Sequence, residues 1–154
     1  MKGFAMTPHR RWKMPADSPV RLRAPVVTLF VLALSLLYDH TGMFRWGILC
    51  ALLHECGHLA VWGVLVRRPP RLEISAAGIC LCMRGVALPL RQERILAAAG
   101  PLTNFLLCVC GVCFMEWQGY TYNGYWFVSA NLLLGIFNLL PLPGLDGARL
   151  LGTV

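Results

Sequence analysis

The 154-residue chain has room for one domain, and 57% of its residues are hydrophobic against 14% charged. Globular chains typically carry about 25% charged residues, and a single water-soluble core of this size cannot hide so much apolar surface. The net charge of +7 does not indicate nucleic acid, because Arg and Lys occur almost only between the apolar runs, with no basic stripe interleaved with aromatics.

Residues 1–24 form a basic arm carrying Lys2, Arg10, Arg11, Lys13, Arg21 and Arg23. The apolar run over 25–38 closes on Asp39, His40 and Gly42. No small-residue cleavage site follows it, so it reads as an uncleaved first span, short enough for Arg21 and Arg23 to snorkel. The second run, 46–66, has the length to cross a bilayer and is stopped by Arg67-Arg68-Pro69-Pro70. Over 71–90 the pattern changes: Leu72, Ile74 and Ala76 alternate with Glu73 and Ser75, and Gly78 precedes another apolar stretch. That alternation predicts a small β-hairpin. The third run covers 95–115 and the fourth 126–140, where Pro141 and Pro143 end it.

The expected fold is therefore an all-α membrane protein of about four transmembrane helices, with the hairpin between the second and third. A basic arm (1–24) precedes a membrane-embedded domain (25–154). Six basic residues lie in the arm and six more from Arg67 to Arg94, against Arg45 alone in the other two loops. This asymmetry predicts a cytoplasmic arm and hairpin loop, with both termini on that side. Five of the seven cysteines sit in apolar runs, where Cys acts as a small hydrophobe; Cys110 and Cys113 form a CxxC without a second pair.

His54-Glu55-Cys56-Gly57-His58 is an H-E-x-x-H sequence on a predicted helix. Spacing of i and i+4 puts both imidazoles on one face, one turn apart, where they can share a metal ion. Glu55 can reach a water held there and act as its general base. Three ionisable groups in five residues of a span are costly in lipid, which argues for a site over chance. A catalytic zinc needs a third protein ligand and an open position. Positions three and six beyond His58 hold Val61 and Val64, so no histidine extends the motif. Glu73 and Glu93 lie among arginines, where solvated ion pairs explain them. Asp146 lies near the end of the Pro-broken stretch from Asn138 to Gly147, and irregular backbone at membrane depth must be buried in protein or line a cavity. An acidic group there calls for a cation.

Three blocks in order resemble the site-2 proteases, zinc metallopeptidases that cut transmembrane segments of their substrates. HECGH at His54 matches the family's HExGH. AGPLTN, from Ala99 to Asn104, is similar to its A-G-P-x-x-N at the start of a core helix. NLLPLPGLDG, from Asn138 to Gly147, is similar to its N-x-x-P-x-P-x-x-x-D-G. The resemblance covers roughly residues 43–151 and implies one Zn2+ held by His54, His58 and Asp146, with Glu55 as catalytic base. It also implies that Asn104 and Asn138 shape the site or hold substrate. The layout looks closest to the compact sporulation-factor-like branch, in a bacterial cell membrane. Its partners would be lipid and membrane-protein substrates with a transmembrane segment, which must unwind before cleavage. The chain stops eight residues beyond Asp146, as a minimal member, a fragment or a partly defective one would. The rival expectation is a zinc-binding membrane protein without protease activity: a transporter, a sensor or a truncated pseudoprotease scaffold.

Overall fold

The structure, a computed structural model, describes residues 20–22, 25–67, 71–75, 78–82 and 88–152, the strands by their backbone alone. In chain order these form β1 (Val20–Leu22), α1 (Pro25–Leu37), α2 (Met43–Val66), β2 (Arg71–Ser75), β3 (Gly78–Cys82), α3 (Leu90–Gln118), α4 (Tyr122–Asn138) and α5 (Asp146–Leu151). The predicted arm lies outside the described residues except at β1.

Local chemistry sets the helix ends. Asp39 stands before α2 and accepts hydrogen bonds from the backbone amides of Phe44 (3.3 Å) and Arg45 (3.0 Å), two of the donors that a helix start leaves unpaired. Burial works against its charge, but these amides and the Arg45 guanidinium hold its carboxyl below the usual carboxylate range. Thr121 caps α4 by accepting from the Gly124 amide at 3.1 Å. The end of α4 follows from Pro141, which disfavours helical geometry at Leu140 and has no amide to donate. The chain then turns through Gly144, whose φ of 97° suits a residue without Cβ.

The expectation of an all-α fold with about four spans and a lone hairpin is corrected on two counts. Among the described residues only α2, with 24 residues, and α3, with 29, are long and apolar enough to cross a membrane. At 1.5 Å per residue they reach about 36 and 43 Å, against a hydrocarbon layer of about 30 Å. Helix α1 has 13 residues and α4 has 17, reaching only about 20 and 26 Å. Helix α4 is shifted relative to the predicted run, starting at Tyr122 and ending at Asn138 because Leu139 and Leu140 are already in a turn, and it remains shorter than a span. Second, the strands β2 and β3 pair antiparallel, Arg71 opposite Cys82 and Ser75 opposite Gly78, but they belong to a three-stranded sheet. Strand β1 adds in parallel, Val20 opposite Leu72, so the arm contributes structure that three residues are too few to announce by alternation.

Side-chain burial is inverted relative to a water-soluble protein. Val26 (77% exposed), Val64 (76%) and Trp117 (81%) face outward, while His54, His58, Asn104, Asn131 and Asp146 are buried. Such a surface suits hydrocarbon, and the buried polar groups must then find partners inside the protein. Cys50 is buried, whereas Cys56, Cys110 and Cys113 are exposed, and all four are free thiols.

Helices α2 and α3 approach closely at Gly57. A Cβ there would stand 2.9 Å from the Ala99 carbonyl and would collide with the Thr103 hydroxyl, which itself donates to Ala99 at 2.8 Å. The motif expected at a helix start instead lies inside one: α3 begins at Leu90, so Gly100 and Pro101 fall in its fourth turn. Pro101 is nonetheless accommodated within α3 and is buried.

Candidate metal centre

Three elements converge on one point. Helix α2 supplies His54 and His58, four residues apart, with ring centroids 4.9 Å apart and planes crossed at 83°. Asp146 arrives in the first turn of α5, after the turn that follows α4. His54 Nε2 and His58 Nε2 each lie 3.1 Å from Asp146 Oδ2, and 3.2 Å from one another. All three residues are buried.

The spacing fits a metal ion. Ligands on a tetrahedral zinc with bonds of about 2.0–2.1 Å stand about 3.3–3.4 Å apart, so three atoms at this separation form one face and leave a fourth position open. The proton positions agree. His58 Nδ1 is 2.9 Å from the Leu96 carbonyl, which can only accept, so this nitrogen carries hydrogen. His54 Nδ1 is likewise 2.7 Å from Asn104 Oδ1. In the neutral rings both Nε2 lone pairs then point with the carboxylate oxygen into one small space. Three acceptors so close repel one another, and a shared cation removes the conflict.

Gly100 of α3 closes the other side. A Cβ at this position would overlap His58 Nε2 and stand 2.6 Å from His54 Nε2. The backbone of α3 therefore comes up to the ligand atoms themselves, a role that reading Gly100 as a helix-start residue missed.

Glu55 is half-buried beside His54 and is not one of the three clustered ligand atoms. Asn104, named from its motif, is in direct contact with a ligand. Asn138 is not: its amide donates to the Leu134 carbonyl of its own helix at 3.0 Å. Sequence reasoning passed over Asn131, which is wholly buried and bonded to Asn104. The available signal was an amide in the middle of an apolar run, seven residues and two helical turns before Asn138. Glu93 is exposed in the first turn of α3, among arginines as expected and remote in role from the cluster.

A buried His–His–Asp centre, able to hold a metal ion between two spanning-length helices, is thus the class of site this fold defines. No family model matches the chain. It is 28% identical over 149 residues to a zinc metalloprotease of Methanocaldococcus jannaschii, covering 88% of this chain and 42% of that protein. Its fold is that of a solved site-2 protease from the same organism, with a TM-score of 0.65 and 24% identity over 87% of this chain and 65% of the other. The resemblance to the site-2 protease family carried by the three motifs is borne out; these relatives do not distinguish its branches. The chain spans less than half the length of the curated relative it matches.

Proposed function

We propose that this chain is an intramembrane zinc metalloprotease that hydrolyses peptide bonds within or near transmembrane segments of membrane-protein substrates. The observation that carries this reading is the mutual 3.1–3.2 Å spacing of His54 Nε2, His58 Nε2 and Asp146 Oδ2, with Glu55 adjoining. His54, His58 and Asp146 would hold one zinc ion. When bound, zinc supplies Lewis-acid polarisation of a carbonyl and lowers the pKa of a water to about 7. Glu55 takes the proton of the attacking water and returns it to the leaving amine. The surrounding apolar helices exclude bulk water, and Leu96 and Asn104 hold the two rings in place through Nδ1. A helical substrate hides its peptide bonds, so it must open locally before the carbonyl can reach the site.

The test is purified protein in proteoliposomes with a panel of single-span substrates. One zinc per chain is expected, with cleavage lost on chelation and restored by zinc. Stoichiometric zinc without cleavage of any substrate would favour the transporter, sensor or scaffold reading instead.

The orientation proposed has the arm and the segment after α2 in the cytoplasm. It is supported by the twelve basic residues of these two segments and by the pairing of β1 with β2, which brings both to one side. In a cysteine-free background, a cysteine at Ser75 should react with an impermeant thiol reagent only from the cytoplasmic side, and one at Gly119 only from outside. The reverse labelling would invert the topology without touching the metal site.

A further inference from the structure

A neutral histidine binds a metal through whichever nitrogen lacks hydrogen, and the partner of its other nitrogen decides which that is. For His58 the decision is made in one step by the Leu96 carbonyl. For His54 the partner is Asn104, a side-chain amide with an accepting end and a donating end. Turned one way, Asn104 offers oxygen to Nδ1 and leaves the Nε2 lone pair free. Turned the other way, it offers NH2, drives the hydrogen onto Nε2 and aims a proton into the ligand cluster.

We infer that Asn131 is a positioning residue that sets which nitrogen of His54 carries the proton, acting through the orientation of Asn104. Its own orientation is anchored by a group that cannot reverse. Asn131 Nδ2 donates to the Phe127 backbone carbonyl at 2.9 Å, one helical turn back on α4, and its second hydrogen faces Cys50 Sγ at 3.2 Å. Its oxygen must therefore be the atom that faces α3, where Asn104 Nδ2 donates to it at 3.2 Å. That fixes Asn104 Oδ1 toward His54 Nδ1, at 2.7 Å. Both amides are 0% exposed, so no solvent competes for these bonds. Orientation passes from a backbone carbonyl of α4, through two amides, to the lone pair of a ligand on α2. Asn131 has no hydrogen bond to the cluster; besides Asn104 it meets α2 only at Cys50, one turn before His54, and the Asn104 background below separates that packing contact from the relay.

The inference rests on His54 being a ligand, and the experiment separates the two. Imidazole 15N shifts of the zinc-free protein report the tautomer directly. His54 in the wild type is expected as the Nδ1–H form, and Asn131→Leu should give a mixture of both forms. Zinc affinity, measured by competition with a chelator, should fall about tenfold in Asn131→Leu, the lower end of what partners of ligands contribute. The discriminating background is Asn104→Asp, whose carboxylate accepts from Nδ1–H whichever way it turns. There Asn131→Leu should leave the tautomer unchanged and cause no further loss of zinc affinity, since it removes an amide oxygen that faces the carboxylate. An equal loss in both backgrounds, or an unshifted tautomer in Asn131→Leu, overturns the proposal and leaves Asn131 a packing residue. Asn131→Val serves the same comparison if the leucine variant does not fold. His54→Ala with wild-type zinc affinity would sink the ligand assignment, and the tautomer measurement would still decide the relay.

Discussion

Replacing Glu55 by glutamine should leave one zinc ion per chain and lower cleavage on the order of 10²–10⁴-fold, the usual worth of a positioned general base. The expectation follows from position. Glu55 neighbours His54 in α2 yet is absent from the three-atom cluster, so its loss removes no ligand. Glutamine preserves the size and the half-buried setting but cannot accept a proton at neutral pH. Asp146→Asn should give the opposite pattern, because Asp146 Oδ2 is the atom shared by both histidines at 3.1 Å. Zinc affinity and cleavage should then fall together. Zinc content by mass spectrometry and single-turnover cleavage read the two quantities separately. Near-normal cleavage in Glu55→Gln with zinc bound would remove the base from the mechanism, whereas wild-type zinc affinity in Asp146→Asn would remove the ligand.

A single methyl at Gly100 should abolish metal binding while the protein still folds. The added carbon would overlap His58 Nε2 and stand 2.6 Å from His54 Nε2, well inside van der Waals contact with both metal-facing nitrogens. Relief requires the rings to move or α3 to back away from α2, and overpacking of this kind costs about 1–3 kcal/mol. Loss of zinc affinity by about 100-fold or more is expected, beyond the range seen when only partners of ligands are changed. Gly63→Ala is the control, since a Cβ at Gly63 meets nothing within 4 Å on the same helix that carries the histidines. Equal zinc affinity in Gly100→Ala and Gly63→Ala would mean that α3 does not close the site.

The site was more legible than the fold because its strongest signal is local. Helical spacing alone puts His54 and His58 on one face, and the Pro-broken stretch before Asp146 marks an acid that leaves a helix at depth. Their meeting across 92 residues was implied by the family motifs and needed the fold to become a distance. The number of spans was less legible, because runs as short as those of α1 and α4 do not by themselves reach across a bilayer. Hydropathy counts side chains, whereas a helix ends where its backbone loses partners, as at Leu139 before the prolines. Asn131 and Asn138 show the same limit from another side. Both are amides on α4, two turns apart, and only three-dimensional packing tells which one meets Asn104 and which one turns back to its own backbone.

The 92-residue separation of His54 from Asp146 also orders events during synthesis. While α2 is being made, the nascent chain holds only the two imidazoles of the three clustered groups. The carboxylate joins them after α3 and α4 have been made and the turn beyond α4 has folded back. Until then the growing chain lacks the group that completes the three-atom cluster. Assembly of the three-atom cluster is thereby tied to completion of the helical core.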